Sequence, residues 1–435
     1  MNPSRMEQIA AQLQGYDPQS LSADHVGQFL QRLVQPVDEA EEVGIFEALG
    51  RVLANDLVSP ISVPPHDNSA MDGYAFDGAQ LQGAAELRLR VVGTAHAGRV
   101  WQGQAGAGEA VKIMTGAVMP AGLDTVVPQE MVQPHGDTIL FSPGLLAPGD
   151  NRRLRGEDLL QGQPALRQGA LLGPAALGLI ASLGIARVRV WRKLRVAFFS
   201  TGSEILSLGE APREAAVYDS NRYTVFGMLS RLGVQAIDMG VVRDEPEALE
   251  AAFRAAARQA DAIITSGGVS VGEADHTKAM MQQLAGDSGG VAFWRIAMRP
   301  GRPMAVGQIA APEAGSGRAA ILFGLPGNPV AVMVTFLAFV RPALLQMMGS
   351  HGGAPPLLRA RSSEAIRKKA GRTEYQRGSV STAAQGQLQV RTTGNQGSGV
   401  LSSMVQANCL IVLHHDQGNV AIGDEVDVMM FDGAL

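Results

Sequence analysis

Four stretches of the sequence place acids, glycines or a Pro-Gly pair where an apolar run ends. Leu194 to Ser200 enters Thr201-Gly202-Ser203-Glu204, and Val241-Val242 enters Arg243-Asp244. Ala262 to Thr265 enters Ser266-Gly267-Gly268-Val269-Ser270-Val271-Gly272-Glu273-Ala274-Asp275, and Ile321 to Leu325 enters Pro326-Gly327-Asn328-Pro329. If these runs are strands of an open α/β sheet, the four loops share the edge beyond the strands' carboxyl ends, where ligands of such sheets bind. That edge would gather Glu204, Asp244 and Asp275 beside backbone N–H groups at helix starts. Carboxylates suit a hard cation such as Mg²⁺, which takes oxygen ligands and keeps phosphate and water. Helix N-termini suit phosphate. Each acid has a plainer reading too: Asp275 as a helix N-cap, Glu204 and Asp244 as solvated loop acids. Their shared edge favours a joint site. No G-x-x-x-x-G-K-[ST] run occurs, which argues against a P-loop ATPase or kinase.

A second feature is Arg295-Ile296-Ala297-Met298-Arg299-Pro300-Gly301-Arg302-Pro303. Planar guanidinium groups bind tetrahedral dianions through paired donors, and prolines on both sides of Gly301 favour a rigid turn presenting Arg299 and Arg302. A solvated turn is the bland alternative. A third is Pro64-Pro65-His66-Asp67-Asn68-Ser69-Ala70-Met71-Asp72-Gly73-Tyr74-Ala75, a polar turn to which residue types alone assign no reaction. His66 and the pair His414-His415 have no second cluster at zinc spacing, and Cys409 sits in an apolar strand as an inert thiol.

The elements that must position these groups follow from periodicity. Ser22 is a plausible N-cap for a helix through Val34, with Val26, Phe29, Leu30 and Leu33 on one face. Residues 1–20 read as a flexible tail. A short helix from Glu47 passes into a strand ending near Val58. Residues 66–190 are β-rich, with short strands at Leu87 to Val92, Glu109 to Met114, Thr125 to Pro128, Thr138 to Phe141 and Arg187 to Val190. From Trp191 apolar strands alternate with helices at Asn221 to Leu232, Pro246 to Gln259, Asp275 to Leu284 and Asn328 to Met348. That alternation predicts a parallel sheet covered on both faces. Phe293 to Met298 and Met304 to Gln308 fit a hairpin near its end. After a Gly/Pro linker, short strands at Leu388 to Thr392, Cys409 to Leu413 and Glu425 to Met430 predict a small β-barrel or sandwich.

At 435 residues the chain exceeds one ordinary core. A net charge of −5 gives no electrostatic footprint for nucleic acid, so an anionic substrate would need local arginines. One cysteine excludes an intrachain disulfide and suits a cytoplasmic protein. The N-terminus lacks the apolar stretch of a signal peptide, and no run reaches the ~18 consecutive apolar residues expected of a membrane span.

Several of these stretches resemble the molybdopterin molybdenumtransferases of the MoeA / gephyrin E-domain family. Asp67-Asn68-Ser69-Ala70-Met71-Asp72-Gly73-Tyr74-Ala75 resembles the family's most distinctive signature, and Ile113-Met114-Thr115-Gly116-Ala117 its next one. Ser200 to Glu204, Ser266 to Asp275 and Leu325 to Pro329 are similar to the pterin-binding domain shared with MogA-type adenylyltransferases. Tyr375-Gln376-Arg377-Gly378 and Gly397-Ser398 resemble the C-terminal motifs. The matches appear in family order from about Leu21 to near the end.

The resemblance implies a multidomain α/β plus β fold: an extended dimerisation segment from 21–64 and 161–190, a β-rich domain over 65–160, a parallel-sheet pterin-binding domain over 191–348, and a β-barrel over 355–435. It implies a homodimer and a Mg²⁺-dependent reaction of adenylyl-molybdopterin with molybdate that releases AMP. It further implies transient contacts with a molybdopterin adenylyltransferase and with molybdoenzyme apoproteins or their chaperones, and no nucleic-acid or membrane partner. Carried over residue by residue, Asp67, Thr115, Glu204, Asp244 and Asp275 would be catalytic, the last three also as Mg²⁺ ligands. Gly267, Gly268, Ser270, Arg299, Arg302, Pro326, Pro329, Arg377 and Ser398 would bind substrate. The family often has Lys where this chain has Arg299 and Arg302, and Asp where it has Ser203; Arg keeps the charge but alters the geometry. Two rivals are the adenylyltransferase itself, which would consume ATP, and a scaffold of the gephyrin E-domain type, which would bind peptides without turnover.

Overall fold

The computed structural model describes residues 4–82, 86–142, 144, 146–269, 276–310, 319–352 and 356–431. At its centre is a six-stranded sheet in the order Gln235–Val242, Arg195–Thr201, Ala262–Ser266, Ala319–Leu325, Pro303–Ala310, Val291–Arg295. The first four strands are parallel, as the alternation predicts, and the last two complete it as an antiparallel hairpin. Successive strand residues point to opposite faces, and here both faces are covered. Val196 and Phe198 join the core containing the helix Asn221–Leu232 and the helical run Pro329–Met347. Ala197 and Phe199 join the opposite core, with Phe253 of Pro246–Gln259 and Met281 of His276–Gly289. Two-sided burial explains why these strands read as continuous apolar runs rather than alternating ones.

Within Pro329–Met347 the winding widens to a π turn over Phe336–Val340. Pro342 has no N–H to offer and its ring would clash with the carbonyl one turn back, so the wider turn lets the helix continue. Among the described residues this is the one helix long and apolar enough to cross a membrane, and its side chains are mostly buried inside the protein.

The opening segment departs from the flexible tail expected. Ser4 and Glu7 form a reciprocal capping box on the helix Arg5–Gln12, and Met6, Ile9 and Leu13 are buried in the same core as the central sheet. Three apolar side chains suffice for a packed turn once a partner is present, and the sequence cannot show the partner. The next helix, Ala23–Leu33, is capped by Ser22 and also packs there, with Phe29 edge-on to Trp294 at 4.9 Å.

Residues on either side of the β-rich region pair across a long interval: Ala40–Gly44 runs antiparallel to Arg187–Trp191, and Leu57–Val58 to Pro164–Leu166. Between them lies a six-stranded sheet ordered Thr125–Pro128, Gly73–Phe76, Glu109–Ile113, Leu87–Ala95, Thr138–Phe141, Gln133–His135. At the C-terminal end, Thr373–Thr382, Leu388–Thr392, Leu358–Ser362, Glu425–Met430 and Cys409–Leu413 follow one another, and pairing of the first with the last closes a five-stranded barrel. Cys409 lies in its core, where burial pushes the thiol up to about 12. Met298–Arg299, from the central hairpin, adds to the barrel in parallel at Thr373–Glu374. The arginine turn is thereby held by two domains at once.

Candidate active site

Beyond the carboxyl ends of the parallel strands lies a cleft of about 1510 Å³. That exceeds the roughly 300–1,000 Å³ of an ordinary small-molecule pocket. Glu204, Asp244, Gly267, Gly268, Arg299, Arg302, Pro326, Pro329 and Ser398 all line it. Nine of the residues singled out from the sequence are thus brought together from four strand ends, the arginine turn and the barrel. Ser270 and Asp275 lie outside the described residues.

Local chemistry explains the shape. Gly267 has φ +91, and a Cβ there would sit 2.5 Å from the Thr201 carbonyl oxygen. Only glycine lets the two strand-end loops approach so closely. Gly301 has φ +96 and lies against Thr335 on the long helix, where a Cβ would be 2.6 Å from Oγ1; this seats the turn carrying Arg299 and Arg302. The helix start at Pro329 does not leave all its donors free, because the Val330 N–H donates to the Ser398 carbonyl at 3.1 Å. Ser398 is therefore docked on the central domain by its backbone.

Glu204, Asp219 and Asp244 supply acids to the cleft, and Arg299, Arg302 and Arg372 supply cations. Glu204 and Asp244 follow the first two strands in the sheet order and Arg299 and Arg302 precede the fifth, so these charges are segregated along the edge. Asp244 accepts from the Thr277 hydroxyl at 3.1 Å, which ties it to the helix His276–Gly289. Among the described residues no three His, Cys, Asp or Glu side chains stand together as a metal cluster. Two carboxylates with phosphate oxygens and water do match what Mg²⁺ usually accepts.

Arg377 does not line this cleft. It is buried, and donates to Ser403 Oγ at 3.0 Å and to the carbonyls of Asn395 and Gly397 at 3.1 and 2.9 Å. Burial, reinforced by the charge of Arg299, lowers its guanidinium to about 10. It borders a second cavity of about 590 Å³ that shares Arg299, Arg372 and Gln396 with the first. Its geometry braces the loop that delivers Gln396 and Ser398.

Asp67 and Thr115 also lie away from the cleft within one chain. Asp67 Oδ1 accepts the Arg155 N–H at 2.8 Å, and Oδ2 is 3.6 Å from Arg152 Nη1. The Thr115 N–H and hydroxyl both donate to Asp72 Oδ1 at 2.7 Å. The Thr115 N–H, with its hydroxyl next, holds the Asp72 carboxyl below the usual carboxylate range. The Gly116 N–H donates to the Ser69 carbonyl and the Met119 N–H to that of Asp67. The two signature stretches therefore form one hydrogen-bonded surface.

Sequence reasoning missed Asp219, Asn221, Arg372 and Gln396. The run Tyr218-Asp219-Ser220-Asn221, polar residues just before a helix, was the available signal for the first two. Nothing local marks Arg372 or Gln396, which reach the cleft only because the barrel docks there.

Three family models match the chain: the MoeA N-terminal region (domains I and II) over residues 21–184, the probable molybdopterin binding domain over 197–346, and the MoeA C-terminal region (domain IV) over 359–431. A molybdopterin molybdenumtransferase of Haemophilus influenzae is 43% identical over 91% of this chain and 95% of its own length. One from a Nostoc species is 34% identical over 90% of this chain and 88% of its own. The crystal structure of a molybdopterin biosynthesis moeA protein from Pyrococcus horikoshii OT3 matches with a TM-score of 0.76 at 27% identity, covering 95% of this chain and 100% of that one.

Proposed function

The chain belongs to the MoeA family of molybdopterin molybdenumtransferases and acts in molybdenum insertion during cofactor biosynthesis; we propose that it does so on adenylyl-molybdopterin, with molybdate as metal donor and AMP as leaving product. The observation that carries this reading is the segregated cleft. A substrate with a pterin, a dithiolene, a phosphoanhydride and a nucleoside needs a large cavity, and molybdate needs a place of opposite charge within it. Arg299 and Arg302, held between the central domain and the barrel, bind the tetrahedral oxyanion through paired donors. Glu204 and Asp244 would hold Mg²⁺ together with phosphate oxygens. When bound, the ion would supply positive charge against the phosphates. Asp244 is held at its strand end by the Thr277 hydroxyl, and Glu204 and the Gly267-Gly268 loop line the cleft beside it.

The active species is a homodimer. Phe46 is 94% exposed, and Leu49, Val58, Leu160 and Leu171 are exposed with it along the segments flanking the β-rich domain. Apolar surface of that kind marks an interaction face. In the dimer the Asp67–Thr115 surface of one subunit completes the cleft of the other. An adenylyltransferase that supplies the substrate, and the apoproteins or chaperones that take the product, are transient partners in the cytoplasm.

The test is anaerobic incubation of the protein with adenylyl-molybdopterin, Mg²⁺ and molybdate. AMP release that requires all three is expected. Consumption of ATP to make adenylyl-molybdopterin would instead identify an adenylyltransferase, and tight peptide binding without turnover a scaffold.

A further inference from the structure

The turn that carries Arg299 and Arg302 leaves the central sheet at its last strand, Val291–Arg295, which pairs within that sheet on one side only, with Pro303–Ala310. An edge strand turns part of its backbone outward, and those groups need partners from elsewhere. Here the beginning of the chain supplies them. The Arg295 N–H donates to the Pro18 carbonyl at 2.8 Å, and the Arg295 carbonyl accepts the Leu21 N–H at 3.1 Å. The Ala297 N–H donates to the Leu21 carbonyl at 2.8 Å. The Ile296 N–H donates to the Arg302 carbonyl at 2.7 Å, which closes the turn, and the Ala297 carbonyl accepts the Thr373 N–H of the barrel at 2.9 Å. One residue earlier stands Trp294, 2% exposed, whose indole N–H donates to the Tyr16 hydroxyl at 2.9 Å. The Phe29 ring joins the two, edge-on to Trp294 at 4.9 Å and stacked with Tyr16 at 6.0 Å. Further upstream, Arg5 Nη2 donates to the Arg32 carbonyl at 2.9 Å, and Met6, Ile9 and Leu13 are buried in the core that also holds Trp294, Ile296 and Met298.

Residues 4–21 thus bond to Trp294, Arg295 and Ala297 without themselves lining the cleft. Apart from Leu21 they lie ahead of the region that the family model matches, which begins at residue 21. Paired guanidinium donors hold a tetrahedral oxyanion only while their spacing is kept. A misplacement of about 1 Å, caused far from the chemistry, can cost about a hundredfold. We propose that residues 4–21 are a positioning segment for the oxyanion site. Tyr16, Pro18 and Leu21 lock the strand end that leads into Arg299 and Arg302, so affinity for the oxyanion depends on a part of the chain that never meets it. This role rests on the assignment of those arginines to molybdate made above.

The experiment follows AMP release by the full-length protein, with Mg²⁺ and saturating adenylyl-molybdopterin, while molybdate is varied. Two changes loosen the segment. Tyr16→Phe removes the hydroxyl that the Trp294 N–H meets, and Ile9→Asp puts a carboxylate in the core. Ile9→Asp is expected to raise the molybdate concentration for half-maximal rate about tenfold and Tyr16→Phe severalfold, with the rate at saturating molybdate near that of the wild type. Each change is then repeated on Arg302→Ala. Groups that act through one another are not additive, so loosening the segment should add much less once Arg302 is gone. A molybdate requirement unchanged in both variants, even with a lower melt, makes the segment structural only and overturns its positioning role. A rise of the same size on Arg302→Ala puts the effect elsewhere and also overturns it. If Ile9→Asp does not fold, Tyr16→Phe decides alone, since it loses a single hydroxyl. Arg302→Ala that needs more molybdate beside unchanged segment variants overturns the positioning role and leaves the oxyanion site standing. An unchanged requirement in Arg302→Ala itself sinks the oxyanion reading of the turn and the positioning role together.

Discussion

The cleft and the Asp67–Thr115 surface carry the two sets of residues that the sequence singles out, and they are built in opposite ways. The cleft is concave, drawn from four strand ends and a docked barrel, with acids and arginines carried by different strands of the sheet. The other surface is a pair of turns tied to each other and to the neighbouring loop, Thr115 with Asp72 and Asp67 with Arg152 and Arg155. A surface held by its own cross-links is suited to being presented to something else; a large concave cleft is suited to receiving. The proposed dimer joins the two.

The sharpest way to break that pairing is complementation. Asp67→Ala and Glu204→Ala should each abolish AMP release. A purified mixed dimer of the two has one site with both lesions and one with neither, so about half of the wild-type rate should return, by two-fold symmetry. No recovery in verified mixed dimers would mean that each site is built within one chain. Next in size is the arginine wall. Arg302→Ala should raise the molybdate concentration for half-maximal rate about ten- to a hundredfold, with Arg302→Lys intermediate, from loss of a paired-donor contact of roughly 1.5–3 kcal/mol. If both variants match the wild type, the residue is a solvated turn arginine. Glu204→Gln should lower AMP release by at least about tenfold with little change in the melt, because the amide keeps the volume but loses the charge a hard cation needs. Unaltered turnover across a Mg²⁺ titration would count against a metal role.

Glycines separate the regions by packing. Gly267 and Gly116 both have positive φ, but a Cβ meets the Thr201 carbonyl at the first and nothing within 4 Å at the second. Gly116→Ala should cost the left-handed penalty of roughly 1–2 kcal/mol, and Gly267→Ala more, read from urea midpoints. Equal losses would show that the loops in the cleft can yield. The smallest effect concerns Asp72. Its folded pKa is depressed by the Thr115 N–H and hydroxyl, so its contribution is present above the ordinary aspartate range, about pH 4, and is lost as pH falls through the folded value. Wild type and Asp72→Asn should therefore differ slightly at neutral pH and converge in acid; a difference that grows in acid would reverse the assignment.

Much of the framework was legible because it is written in local pattern. The helices Asn221–Leu232 and Pro246–Gln259 lie where the alternation of apolar strands and helices places them. The strand Cys409–Leu413 follows from a short apolar run. Thr373–Thr382 was not legible as a strand, since it buries Glu374, Gln376 and Arg377 between the barrel and its neighbours, where pattern reading expects apolar residues.

By itself, then, the sequence determined the alternating strands and helices of the central domain, and that acids, glycines and arginines stand at strand ends, because those features depend on neighbours within a few positions. Only the tertiary structure decided that Arg377 turns from the cleft to brace a loop, that Arg372 and Gln396 reach the cleft, and that Asp219 is buried against Ser200 and Arg222. It also decided that the first helix packs and that the two signature stretches bond to each other. Each of those outcomes depends on contacts between residues far apart in the chain, whose energies no local pattern encodes.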